Sequence, residues 1–277
     1  VVALAFATAL AAAAFPPPAE ASEIARDAKY LIDNTQLDLV DIFTSPLHVA
    51  DENSILRSPT FYLVLAGVGG LWAGSFALDQ TIRSHLRNMS SSDADLLQHL
   101  SYASVGAAAA SLYLYGYSTD DVSARDDAIT AGEGAGVASL VNLGFKYGFG
   151  RQRPRDGGDH TAFFKGGQSL FSGEVTPMFG LAAGISEHFE NRWYVAGPVY
   201  ALALLDGFGR MGHDAHWFSD VVGGGLLGVG TTELLLYLHR QHETQPGRWR
   251  LFPDAVSPTT AAQGPIQVSG LEATWIW

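Results

Sequence analysis

The sequence predicts an all-α protein, a helical bundle followed by an extended C-terminal tail or short strand, and three observations lead there. Long, weakly polar segments recur at 61–78, 96–117, 129–145, 177–185, 193–205 and 221–238. They are rich in Gly, Ala and Ser, residues that let helix backbones approach closely. Period-two alternation is confined to the last dozen residues, 266–277. Glycine lowers the stability of an isolated helix, so tertiary contact must hold these segments in place.

Taken in order, Val1 to Phe15 is an uncharged, Ala-rich run, followed by Pro16, Pro17 and Pro18 and by Ala19-Glu20-Ala21 ahead of Ser22. That pattern is the apolar core and small-x-small cleavage site of a secretory leader, so 1–21 is expected to be a partial signal peptide and the protein to be exported to the cell envelope, the periplasm. Residues 22–59 mix charges with scattered apolar positions (Leu31, Ile32, Leu37, Leu39, Val40, Ile42, Phe43), as peripheral helices do. Residues 60–244 form the expected main helical domain. Within it only 61–78 and 96–117 approach the roughly 20 residues that span a bilayer. Glu133 and Glu233 interrupt two other segments, where a carboxylate belongs inside a bundle. The expectation is a domain attached to a membrane, integral to it or closely associated with it. Pro246, Pro253, Pro258 and Pro265 mark 245–277 as a tail. One terminal strand cannot close a barrel.

Composition narrows the function. The 16 Lys and Arg against 28 Asp and Glu give a formal charge of -12, which argues against a nucleic-acid partner, because phosphate backbones require neutralising cations. The chain has no cysteine, which excludes disulfides and thiolate metal sites.

Against this acidity, cations and small residues concentrate between Lys146 and Trp217 in three clusters. The first holds Lys146, Arg151, Arg153 and Arg155, with Pro154 closing any helix; Arg offers bidentate hydrogen bonds to phosphate oxygens, Lys a compact charge. The second, Gln168-Ser169-Leu170-Phe171-Ser172-Gly173-Glu174, sets a hydroxyl and a glycine ahead of an expected helix, where backbone N–H groups cradle anions. The third gathers Arg210, His213, His216 and Asp220, with His216 and Asp220 one helical turn apart. An imidazole oriented by a carboxylate is suited to nucleophilic or acid/base work.

With these residues in view, the chain resembles the type 2 phosphatidic acid phosphatase (PAP2) superfamily. Lys146 to Pro154 is similar to its first motif, Lys, six residues, Arg-Pro. Phe171-Ser172-Gly173-Glu174 sits where the family has Pro-Ser-Gly-His. Gly209-Arg210, five residues, His216, three residues, Asp220 matches the third motif except for its Ser. One such motif is a weak signal; three in order are specific.

The resemblance implies a helical bundle and a direct phosphohistidine mechanism needing neither metal nor cofactor. Lys146, Arg153 and Arg210 would bind the phosphoryl oxygens, Ser172 and the Gly173 amide would complete the cradle, and His216, held by Asp220, would attack phosphorus. A phosphorylated small molecule or lipid is the implied partner. The departure is Glu174, in place of the histidine that protonates the leaving oxygen; a carboxylic acid does so only with its proton held towards neutral pH. His213 and His160 are alternative acids. The functions implied are a phosphatase, a PAP2 domain that binds phosphate or lipid headgroups without turnover, or a vanadate-dependent haloperoxidase with a similar pocket.

Each residue also has a plainer reading: a solvated basic loop for the first cluster, a surface pair for His216 and Asp220, a helix-start carboxylate for Glu174. His160, His188, His239 and His242 read as ordinary polar residues, and Trp193, Tyr194, Tyr200 and Trp217 as packing or interface aromatics.

Overall fold

The computed structural model describes residues 18–44 and 55–244. The expected C-terminal tail and strand, and most of the expected leader, lie outside the described residues. Among the described residues every regular element is a helix, so the chain is all-α. The helices are α1 (Pro18–Thr44), α2 (Pro59–Ser75), α3 (Asp79–Leu86), α4 (Ser91–Ser118), α5 (Val122–Phe149), α6 (Val175–His188), α7 (Trp193–Gly212) and α8 (Phe218–Thr244), with single 3-10 turns at Ile55–Arg57, Phe76–Leu78 and Pro154–Asp156. All six segments expected from hydropathy lie in helices. The residue 21/22 boundary expected for leader cleavage falls inside α1.

Local chemistry sets the helix ends. Ser58 caps α2, with Pro59 opening its first turn, where proline's missing N–H costs nothing. Ser90 accepts from the Asp93 amide to start α4, and Asp121 from the Ala124 amide to start α5. Gly150, in the left-handed region at φ 51°, stops α5 and turns the chain into the loop that carries the site.

Helix α6 is the axis, packed against α4, α5, α7 and α8. Its Met178, Leu181, Ala182 and Ile185 meet Val105 and Ala109 of α4, Ala131 and Ala135 of α5, and Val199 and Ala203 of α7. Small residues make this approach possible: a Cβ on Gly184 would lie 2.3 Å from the Ala131 Cβ, and one on Gly228 would lie 2.2 Å from the Thr176 carbonyl oxygen. Glu133 points into the bundle, where it is buried.

Two stretches, Pro59–Leu86 and Phe218–Arg240, are long and apolar enough to cross a membrane. The first covers the expected 61–78. The second was not singled out by length, because Glu233 interrupts it; the expected 96–117, rich in Ser, Gly and Tyr, is not among them. Helix α2 presents Tyr62, Leu63, Val64, Leu65 and Leu71 on the exterior rather than to the bundle.

Candidate active site

The site is built where the loop 150–174 meets the start of α8. Backbone bonds fold the loop on itself: Gln152 N–H to Ala162 O (3.0 Å), Lys165 N–H to Gly150 O (3.0 Å) and Ser169 N–H to Arg151 O (2.9 Å). Gly167 is required here, since a Cβ would fall 2.1 Å from the Arg151 carbonyl oxygen. Buried Asn142 of α5 pins the far end, accepting from the Phe171 amide (3.0 Å) and donating to Ser172 O (3.2 Å) and Thr176 Oγ1 (3.0 Å). The Ser172 amide donates to Asp220 O at 3.0 Å, tying the loop to α8.

Arg151 is the hub of this assembly. Its side chain is 0% exposed. The guanidinium donates to Asp79 Oδ2 (2.7 Å), Ser219 Oγ (2.8 Å), Asp220 Oδ1 and twice to His160 O (3.0 and 2.6 Å). Phe76, Phe163 and Trp217 close around it, 4.7 to 5.7 Å from the guanidinium carbon to the ring centroids. A cation grouped by sequence with the phosphate-facing cluster is thus consumed by two buried carboxylates. Asp79 also accepts from Ser219 N–H (2.7 Å) and Oγ (2.8 Å), which draws the α3 start onto the α8 start.

His216 is buried beside this network. Its Nδ1 lies 2.8 Å from the Ser169 carbonyl oxygen, which only accepts, so Nδ1 carries the proton. Burial first, then the charges of Lys146 and Arg210, push the imidazole down to about 4. The ring is therefore neutral at neutral pH and its Nε2 lone pair is available. The carboxylate expected to hold it, Asp220, stands 3.7 Å from Nδ1, beyond hydrogen-bond range. Asp220 instead accepts from Arg151, from the Ser169 hydroxyl and from the Trp217 amide (2.9 Å), fixing the backbone on both sides of the histidine.

Lys146, Arg153 and Arg210 converge. Burial first pulls the Lys146 ammonium down to about 8, with Arg153 and Arg210 acting in the same direction and Asp220 opposing. The Arg153 guanidinium is likewise lowered by burial and by Arg155 and Arg210. Cations that destabilise one another's charge form a site matched to an anion. Lys146 Nζ donates to Gln168 O (2.8 Å), and a Cβ on Gly173 would lie 3.3 Å from Lys146 Cε, so the loop glycine borders this group. The buried Ser172 hydroxyl has no hydrogen-bond partner among the described residues.

Glu174 caps α6 without a side-chain capping bond, and its Oε2 lies 2.5 Å from Arg210 Nε. The two atoms are out of line for a hydrogen bond, which makes the contact an ion pair held by charge. One turn before Arg210 on α7 sits Asp206, fully buried and not singled out from sequence. Burial, with the charge of Glu174, raises its carboxyl to about 7. The alternative acids are occupied elsewhere: His213 Nε2 lies 2.8 Å from Asp95, and His160 Nδ1 2.7 Å from Asp159. His188 pairs with Asp127 (2.7 Å), and the side chain of His242 lies outside the described residues. Trp217 packs within the site, its indole N–H donating to Gln152 O (3.0 Å), whereas Trp193 and Tyr194 are exposed.

The fold and geometry define a helical bundle in which mutually repelling cations lie beside a buried, neutral histidine. Residues 127–243 match the family model described as the PAP2 superfamily, so this segment is similar to that superfamily. Over 101 residues the chain is 37% identical to a lipid A 1-phosphatase of Porphyromonas gingivalis, an alignment covering 35% of this chain and 20% of that protein. The chain thus spans about a fifth of its curated relative. No solved structure matches it.

Proposed function

We propose that the protein is a phosphatase that hydrolyses a phosphate monoester or diphosphate, on a lipid at the envelope membrane, through a phosphohistidine intermediate. The observation that carries this reading is the neutral His216, its Nδ1 spent on a carbonyl and its Nε2 left as the free nucleophile, beside three converging cations. Nε2 attacks phosphorus, and the bond from phosphorus to the leaving oxygen breaks. Lys146, Arg153 and Arg210 offset the charge spread over the phosphoryl oxygens. Ser172, with the Gly173 amide, lines the same cradle. The leaving oxygen takes a proton. Water then attacks the phosphohistidine, releasing phosphate and restoring the imidazole.

The proton source is the carboxyl pair. Glu174, at the motif position, is engaged by Arg210, while Asp206 behind it holds a proton up to about 7. Asp206 supplies the proton and Glu174 relays it. Asp220 positions His216 through the loop.

A lipid substrate is supported by a cavity of roughly 550 Å³ between α6, α7 and α8, lined by Phe179, Tyr200, Leu204, Phe218, Val221 and Leu226. Phe218 and Val221 flank Asp220 in the first turn of α8. The apolar stretches Pro59–Leu86 and Phe218–Arg240 and the name of the P. gingivalis relative agree with a membrane setting.

A second reading, phosphate binding without turnover, is favoured by one contact, the Glu174–Arg210 ion pair that occupies a phosphate ligand. Phosphate release by the purified full chain from lipid and soluble phosphates separates the two. Turnover that falls by about 10³-fold or more in His216→Asn supports the phosphatase. No turnover in the wild type or in Glu174→His, with vanadate binding lost in Arg153→Ala and Arg210→Ala, gives the binding reading; a gain in Glu174→His shows the phosphatase machinery intact and the wild type impaired; no turnover in either, with vanadate binding unchanged in the arginine variants, sinks both.

A further inference from the structure

A second cluster of chemically capable side chains lies far from His216. Asp38 of α1, Glu133 of α5 and His239 of α8 are all buried, and their ligand atoms lie within 4.8 Å of one another. From sequence alone His239 reads as an ordinary polar residue. Its Nε2 lies 2.8 Å from Asp38 Oδ2 and 3.5 Å from Glu133 Oε2. Lys146 follows Glu133 by thirteen residues on α5, a distance of about 20 Å at the helical rise. This cluster and the phosphate site therefore occupy different levels of the bundle.

We propose that this cluster binds a divalent first-row cation, zinc or manganese, clamping α1 to α5 and α8. Distances fit: two ligands at about 2.0–2.1 Å from a tetrahedral ion stand about 3.3 Å apart, between the two separations measured here. Supporting groups fit as well. The Thr35 hydroxyl donates to Glu133 Oε1 (2.5 Å), the oxygen turned away from the imidazole. On the other side of the ring, Nδ1 lies 3.2 Å from both the Tyr30 and the Thr130 hydroxyls. The Thr130 proton goes to Asp126 O (2.8 Å), so Thr130 Oγ1 accepts from the ring. A protonated Nδ1 leaves Nε2 as the metal-binding nitrogen, the arrangement in which a hydroxyl or carbonyl orients a ligand histidine.

The donor set points the same way. Two carboxylate oxygens with one imidazole nitrogen suit zinc or manganese better than calcium or copper(I). A route in exists: a polar cavity of roughly 340 Å³ borders His239 and Thr130 and is lined by Asp126 and Asp127.

The test uses the full chain, stripped with EDTA and titrated with Zn2+ alone or Mn2+ alone, with bound metal counted and the melting midpoint recorded. With no cysteine in the chain, added Co2+ reports only nitrogen and oxygen ligands in its visible spectrum. The expected result is one equivalent bound, a raised melting midpoint, and affinity lowered by about tenfold or more in Glu133→Gln and Asp38→Asn. Glu133→Gln preserves shape and the Thr35 bond, so it reports loss of the ligand charge in a folded protein. Absence of saturable binding in the wild type, or equal binding in wild type and Glu133→Gln, overturns the proposal and leaves a histidine–carboxylate ion-pair network.

Discussion

Burial and neighbouring cations displace His216 and Lys146 in the same direction, and the displacement has opposite consequences for the two. His216 loses its proton at about 4, so the proposed nucleophile is present above that pH. Lys146 loses its charge at about 8, so the proposed phosphate ligand is charged below that pH. Asp206 gives up its proton at about 7. The expected kcat/KM rises through pH 4, then falls through 7 and again through 8. Asp206→Asn should remove the limb near 7 and lower kcat; Lys146→Arg, whose charge survives any working pH, should move the upper limb beyond 9. Alkaline limbs unmoved by both substitutions would refute these assignments. At this scale the motif residues were legible because their spacing is local. Arg151 was misread because it occupies a spacer position of the first motif, and only the distant Asp79 reveals its partnership. Asp206 and Asn142 gave no signal, since a single polar residue in an apolar helix does not announce what it faces.

Helix α6 touches its neighbours through glycine, and this exposes it to overpacking. Gly184→Ala should force α5 and α6 apart and destabilise the protein by about 1–3 kcal/mol despite alanine's better helix propensity. Gly230→Ala on α8, where nothing lies within 4 Å of the new Cβ, should stabilise by about 0.5–1 kcal/mol. Chemical denaturation of the two variants checks the pair, and equal effects would contradict the packing described. The helices themselves were legible from their apolar runs and their small residues. Their full lengths were not: α5 and α8 extend into charged turns that hydropathy scores as linker. Of the buried cluster, only His239 lies in such a polar end; Asp38 sits in a helix without an apolar run and Glu133 inside the run 129–145, where it reads only as an interruption, which is why the cluster escaped notice in a search for apolar periodicity.

Across the whole molecule, one buried cation joins three parts of the chain: α3 through Asp79, the site loop through the His160 carbonyl, and α8 through Asp220. Asp79→Asn should cost about 3–5 kcal/mol by leaving Arg151 under-compensated, and should lower activity by loosening the loop that orients His216. A melting midpoint unchanged in that variant would show that Asp220 alone suffices. The arrangement also bears on inheritance. The segment recognisable by family, 127–243, contains every motif residue but not Asp79. A gene fragment beginning at residue 127 would carry the whole chemical vocabulary yet encode an arginine deprived of half its countercharge. Helix α3, which carries none of the motif residues, is thereby part of what keeps the motif segment folded.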